Sequence, residues 1–544
     1  MSVVLPKGRD LPHGGDLLVS SLINHGVRRA FGLPGIQLDP LFDALARQDV
    51  INFTPARHEQ AVTYMADGFA RATGRPGVGI VVPGPGVLNA LAGLSTAYAC
   101  RTPVLLICGQ IEREIIGSGR GALHEIPDQT GMLRSLTRWH GMAFSPAELP
   151  SLIGEAFAAL EAGQGPAALE VPVDVLHQIA NEETITAPTP VPQTKYPVAY
   201  RIDEALQLVR KAQRPLLIAG GGCCDPVSAS LLTQSAELLR APVIVTENGK
   251  GAISHSHELA FERSAYRHLL ENADLVVALG TRFVDLDGKD LPTRQAELLI
   301  VNTDPAVLER QPEQVHTLQH DVTDLLAELV ESDCDLPPHK GWETDELANA
   351  HEFVREQQAQ IAPQLAYLEV IRQHIPDDGI VVGEYTQVGY AASFAYPCRS
   401  PHDFIWPGYQ GTLGYGFATA IGAAIGNNET VICITGDGGF SWTMEELSTL
   451  ARERPPLITI IFNDGHYGNV QRIQRQLYAG REIATELTNP DYMRLSEAFG
   501  IESERISSAQ ELANALRRAI HLKKPKIIEV IVGEFPSPWH LGWG

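Results

Sequence analysis

The sequence predicts an α/β protein made of three consecutive doubly wound parallel sheets. Three observations predict it. Short apolar, strand-like runs alternate with helical stretches along the whole chain, each run ends on a Gly-rich or polar turn, and two Pro-containing polar breaks divide the pattern into thirds. At 544 residues the chain is also too long for one hydrophobic core. Its 44% hydrophobic and 20% charged residues supply several cores without a bias toward disorder.

The first third places strands at Ala30 to Phe31, Gly79 to Val82, Val104 to Cys108 and Ala168 to Val171. The stretch NEETITAPTPVPQTKYPVAY, residues 181 to 200, has no apolar period and reads as an extended linker. The middle third resumes with PLLIAGGG (215 to 222), APVIVTENG (241 to 249), DLVVALGTRF (274 to 283) and ELLIVNTD (297 to 304). A second break, SDCDLPPHKGW at 332 to 342, leads into the last third, whose strands are GIVVGE, TVICITGDGG, PLITIIFNDG and KIIEVIVGE.

A formal charge of −23 argues against a nucleic-acid backbone or an anionic membrane as partner, so an anionic substrate must be held by local donors or a metal. Seven cysteines include the adjacent Cys223 and Cys224 but no C-x-x-C pair, which fits a reducing cytoplasm. The opening MSVVLPKGRDLPHGG lacks an apolar signal core, and no apolar run approaches a membrane span. The expectation is a soluble, unprocessed chain.

The sharpest chemical signal runs from Ile434 to Gly468. A buried strand delivers Gly436-Asp437-Gly438-Gly439 at its carboxyl end with a helix directly after it, so backbone N–H groups face an incoming anion such as a diphosphate. A second strand, Leu457 to Phe462, ends in Asn463-Asp464 and brings Asp464, 27 positions after Asp437, to the same sheet edge. Two such oxygens with phosphate oxygens and water make a Mg²⁺ site. A lone G-D-G is as often an ordinary turn; the paired second strand favours the functional reading.

This spacing resembles the signature of the thiamine diphosphate (ThDP) enzymes, and the rest of the chain resembles that family in order: a pyrimidine-binding domain (1 to 182), a central domain (195 to 332), and a diphosphate-binding domain with a C-terminal tail (346 to 544). The family's second ligand is usually Asn, where this chain has Asp464; the third would be the His466 carbonyl, with Tyr467 and Gly468 following. The segment FTPARHEQAVTYMADGFARATGRPGV (53 to 78) resembles the pyrimidine domain, in which the Glu matching Glu59 bonds N1′ of the aminopyrimidine and makes the 4′-amino group a base for C2. Without that context, Glu59 is simply a first-turn residue complementing the helix dipole.

FGLPG at 31 to 35, GPGVLNALAGLSTAYA at 84 to 99 and GTLGYGFATAIGAAIG at 411 to 426 support the same family. The resemblance places Gly35 and Pro83 at the cofactor, Pro83 standing where a Ser is usual. Gly411 and Leu413 would grip the pyrimidine, Leu413 wedging the cofactor into a bent shape. Gln387 falls near the diphosphate. Closest is acetohydroxyacid synthase, with related 2-oxo acid decarboxylases and carboligases. By resemblance, cofactor sits between domains of two subunits, giving a homodimer or homotetramer.

In the loop 115 to 131, His124 replaces a Gln of the synthases and is a candidate proton donor or acceptor at the substrate; Gln37, after Gly35, approaches from the opposite side. The tail PSPWHLGWG offers Trp539, His540 and Trp543 as a lid or a packed end. The segment 249 to 270 lacks the Gly-rich stretch that FAD contacts need, so no FAD is expected, and Gly220 to Gly222 read as a tight turn. The implied function is decarboxylation of a 2-oxo acid, followed by protonation to an aldehyde or ligation to a second carbonyl. The alternatives are a flavin-dependent oxidase of the pyruvate oxidase type and a catalytically silent regulatory relative.

Overall fold

The computed structural model describes residues 12–163, 165–180, 200–331, 341–427 and 429–543. The first break, apart from its last residue, lies outside them, as do residues 332–340 of the second and the first 11 residues. Three six-stranded sheets follow one another along the chain, and every strand pair is parallel.

The first sheet holds β1 (Arg29–Gly32), β2 (Asn52–Pro55), β3 (Gly77–Val81), β4 (Val104–Gln110), β5 (Trp139–Met142) and β6 (Ala167–Pro172), in the order β2-β1-β3-β4-β6-β5. The second holds β7 (Pro215–Ala219), β8 (Val243–Val245), β9 (Ala260–Phe261), β10 (Leu275–Leu279), β11 (Glu297–Val301) and β12 (His316–Leu318), ordered β12-β11-β10-β7-β8-β9. The third holds β13 (Ile380–Gly383), β14 (Phe404–Ile405), β15 (Val431–Gly436), β16 (Leu457–Asn463), β17 (Glu502–Ile506) and β18 (Lys526–Ile531), ordered β14-β13-β15-β16-β18-β17. Central strands such as β3, β4, β7 and β15 are buried along their whole length, as helices on both faces of a parallel sheet require.

The first and third sheets share one order, strand for strand. Their equivalent loops leave the carboxyl ends of β1 to β4 and of β13 to β16, and every predicted site residue lies in one of them or in the first turn of the helix that follows. Gly35 and Gln37 follow β1, Glu59 follows β2, Pro83 follows β3 and His124 follows β4; Gln387, Gly411 with Leu413, Asp437 to Gly439, and Asp464 to Gly468 follow β13 to β16 in turn. That is the edge at which open α/β sheets bind ligands.

The two sheets meet through the helices Glu59–Thr73 and Tyr415–Gly426, whose side chains share one buried core. Glycine permits the approach: a Cβ on Gly68 would lie 2.0 Å from the Thr419 carbonyl oxygen, and one on Gly422 would lie 1.9 Å from that of Met65. Arg71, on the first helix, bonds the Trp406 carbonyl (2.7 Å), the Tyr415 hydroxyl (3.1 Å) and Asn248 of the second unit (3.2 Å), joining all three.

One expectation needs correcting. Trp342, the last residue of the second predicted break, is buried, and its Nε1 donates to the Pro215 carbonyl at 2.8 Å. It enters the core of the second unit with Leu347, Ala350 and Val354 from the helix Thr344–Ala359. Of the two readings of the C-terminal tail, the structure shows the packed end. Trp539 donates to Asn469 (3.1 Å) and lies tilted against the Tyr390 ring, His540 contacts the Gln357 carbonyl (2.9 Å), and Trp543 meets the Tyr266 ring edge-on.

Candidate functional site

Strands β15 and β16 pair in register with Gly436 opposite Phe462, so Asp437 and Asp464 emerge side by side. Asp437 is buried, and its Oδ2 accepts from Asn489 Nδ2 (2.6 Å) and the Gly465 N–H (3.1 Å). Asp464 accepts from Gln387 Nε2 (2.7 Å) on Oδ2 and from the His466 N–H (3.0 Å) on Oδ1. Asn463 donates from Nδ2 to Glu529 at 2.7 Å, and its Oδ1 shares both donors of Asp437, accepting from the Gly465 N–H (3.1 Å) and Asn489 Nδ2 (3.2 Å). Burial pushes Asp437 up to about 6, the charge of Asp464 adding to it while the Asn489 bond opposes; burial also raises Asp464. Two carboxylates held this close are under-compensated, and a divalent cation between them relieves both.

The turn is fitted to its glycines. A Cβ on Gly438 would sit 2.8 Å from the Tyr467 ring, and one on Gly468 would sit 2.6 Å from Asp464 Oδ2. The His466 ring folds back on its own loop, Nδ1 lying 2.6 Å from the Asp464 carbonyl oxygen, so only the main chain of His466 is free to face a cation. Gln387 is spent within the protein. Besides Asp464 its amide reaches the Gly533 carbonyl, while its oxygen accepts from the Phe535 N–H (2.6 Å) and Arg472 (3.5 Å). It braces Asp464 from within the protein.

Sequence reasoning missed Glu384, at the end of β13. It is fully buried, accepts from the Gly414 N–H (2.6 Å) and the Thr435 hydroxyl (2.5 Å), and lies so near Gly439 that a Cβ there would meet its Oε1 at 2.5 Å. Burial pushes it up to about 7. It ties the loop of Gly411 and Leu413 to the turn after Asp437. Gly411 has a left-handed φ of 60°, and Leu413 is half-exposed, outside the buried cores.

In the first unit, Glu59 opens its helix, with His58 as the N-cap residue whose Nδ1 accepts from the Gln60 N–H. The Glu59 carboxyl is half-buried and accepts from Asn89 Nδ2 at 3.0 Å; among the described residues no hydrogen bond or ion pair joins it to Asp437 or Asp464. Gly84, after Pro83, donates its N–H to Gln129 Oε1 at 2.8 Å. Gln129 belongs to a buried hub on Glu170, whose oxygens also accept from Gln110 (2.8 Å) and Thr130 (2.6 Å) and contact His140 Nε2 (2.7 Å).

This hub closes the base of the loop that carries His124. The loop is held from within by Glu125, which accepts from the N–H groups of Gly119, Gly121 and Ala122 at 2.7 to 3.0 Å. His124 takes a left-handed φ of 69°, unusual for a residue with a side chain, and its Nδ1 is buried without a partner. Gln37, 6% exposed, donates to the Leu123 carbonyl (3.3 Å), and its Oε1 is likewise buried without a partner. The structure therefore brings Gln37 and His124 to one place, each with an unspent polar atom.

The family description "Thiamine pyrophosphate enzyme, N-terminal TPP binding domain" matches residues 12–132, its central domain 202–329, and its C-terminal TPP binding domain 382–530. The chain belongs to the thiamine pyrophosphate enzymes. Similar proteins include a probable acetolactate synthase large subunit of Methanococcus aeolicus, 28% identical over 96% of this chain and 92% of its own. A probable 2-ketoarginine decarboxylase of Pseudomonas aeruginosa is 31% identical (95% and 93%), and the Escherichia coli acetolactate synthase isozyme 3 large subunit 30% (93% and 92%).

The residues of this thiamine pyrophosphate enzyme fit its cofactor. Two acids, both raised by burial, are paired at neighbouring strand ends, glycine main chain lies at the adjoining strand end, and a carboxyl stands at the equivalent edge of the other sheet. Asn89, Asn489, Glu384 and the Glu170 hub carried no spacing signal, because each acts across a loop or a domain. Among the described residues no helix is long and apolar enough to cross a membrane.

Proposed function

We propose that this enzyme uses ThDP and Mg²⁺ to decarboxylate a 2-oxo acid, the product being protonated to an aldehyde or ligated to a second carbonyl. The observation that carries the reading is the pairing of Asp437 with Asp464 at neighbouring strand ends, with Glu59 at the equivalent edge of the first sheet. Acetolactate synthases and a 2-ketoarginine decarboxylase among the relatives support 2-oxo acids as the substrate class.

When bound, ThDP supplies the electron sink that loss of CO₂ requires. Asp437, Asp464 and the His466 carbonyl hold Mg²⁺, and the main chain of Gly438 and Gly439 faces the diphosphate, flanked by Tyr467 and Gly468. Gly35, Pro83, Gly411 and Leu413 line the rest of the cofactor, and Glu59 holds a proton at N1′. His124 and Gln37 orient the substrate; the unspent Gln37 Oε1 calls for a hydroxyl or N–H donor. The family resemblance supports a site completed by the partner subunit in a homodimer or homotetramer. The domain bounds proposed are those read from the sequence, with the helix Thr344–Ala359 packing on the central unit.

A flavin is not part of the proposal. The Gly220 and Gly222 N–H groups are spent on the Leu279 and Gly280 carbonyls, and a Cβ on Gly220 would lie 2.3 Å from the Gly280 oxygen, so that turn closes on itself.

The test is CO₂ release from a panel of 2-oxo acids, with and without an aldehyde acceptor. Release that depends on both ThDP and Mg²⁺ is expected, and its absence across the panel would remove the proposal. Metal affinity carries its own pH signature. A carboxyl near 6 is ionised above that pH and protonated below it, so protons compete with the cation in acid. Mg²⁺ binding, followed by calorimetry, is expected to be about tenfold weaker at pH 5 than at pH 7.

A further inference from the structure

We propose that Glu446 is a positioning residue that sets the Glu59 carboxyl in place, an inference that rests on the reading of Glu59 given above. Glu446 belongs to the third unit, in the short turn Met444–Glu446 after the Asp437 loop, and is fully buried. Its Oε1 accepts from the N–H groups of Arg57 (2.8 Å) and His58 (3.0 Å), the two residues immediately before Glu59. Its Oε2 accepts from the Thr449 hydroxyl (2.5 Å), which also lies 3.3 Å from the carbonyl of Pro55, the last residue of β2.

These contacts span the whole turn between β2 and the helix that Glu59 opens. Arg57 and His58 precede the first helical turn, so their N–H groups have no place in the helix ladder. One carboxylate from another unit satisfies both. Two convergent N–H bonds to adjacent residues fix the direction of the chain as well as its position, which a single bond does not. Burial without them would cost more than either bond contributes, so the turn has one favoured arrangement, and Glu59 inherits it. Among the described residues no hydrogen bond or ion pair joins Glu446 to Glu59 or Asp437, so it acts through the backbone.

The test compares wild type, E446A, E446D, E446Q and E59Q loaded with ThDP and Mg²⁺. Hydrogen–deuterium exchange at C2 of the bound cofactor is read by quench and NMR, alongside cofactor affinity and thermal midpoint. In E446Q the amide oxygen still accepts both N–H groups while the NH₂ donates to Thr449, so near wild-type exchange is expected. E446A and E446D withdraw the acceptor and are expected to slow exchange at least about tenfold, with cofactor still bound.

Wild-type exchange in folded E446D overturns the inference, whether or not E446A folds. So does equal slowing in E446Q and E446A that merely tracks a fall in thermal midpoint, since that marks a domain clamp. Wild-type exchange in E59Q would instead sink the reading of Glu59; a silent E59Q beside a normal E446D sinks only the role of Glu446.

Discussion

Replacing Glu59 by Gln is expected to lower 2-oxo acid turnover by about 10² to 10⁴-fold, the usual worth of a positioned proton carrier. Cofactor and Mg²⁺ should remain bound, because the diphosphate end of the site lies on the other sheet. The substitution is nearly isosteric, and its amide oxygen can still accept from Asn89 Nδ2, so the helix start is preserved. What is lost is the exchangeable proton at N1′. C2 exchange in the loaded protein separates the outcomes. Exchange at the wild-type rate would falsify the assignment, whereas slow exchange with intact binding places the defect in proton transfer. A drop in kcat and kcat/KM together, with KM little changed, is the corresponding kinetic pattern.

Asp437 and Asp464 were legible as a pair because each follows a strand that local pattern reveals, 27 residues apart, whereas Glu59 was singled out only by the resemblance of its segment, no strand being read before it. The three sheets were legible for the same reason: buried parallel strands read as continuous apolar runs. Contacts between units were not legible. Glu446 lies 388 positions from His58 and 389 from Arg57, and Asn489 lies 52 from Asp437, distances at which no period or spacing survives. The four hydrogen bonds of Gln387 within the protein, one of them to Asp464, were likewise beyond the reach of spacing. Trp342 shows the limit of composition: a Pro-containing polar run ended in a residue that the central core buries.

The glycines of the crossing helices give the second large effect. Gly422→Ala would ordinarily stabilise a helix by about 1 kcal/mol. Here the new Cβ would lie 1.9 Å from the Met65 carbonyl oxygen and 2.6 Å from its carbon, both main-chain atoms that no side-chain rotation can move. The two helices must separate, loosening the core that joins the first and third units, at a cost of about 3 kcal/mol or more. Against a typical total of about 5–15 kcal/mol, that is a large fraction of the stability. Thermal or denaturant unfolding is expected to show a clear loss for G422A and for G68A, whose Cβ would lie 2.0 Å from the Thr419 oxygen. Both clashes are relieved by one and the same separation, so the double variant should lose less than the two single losses together. Strict additivity would mean that each helix yields locally and that the crossing is not a rigid joint between the first and third units.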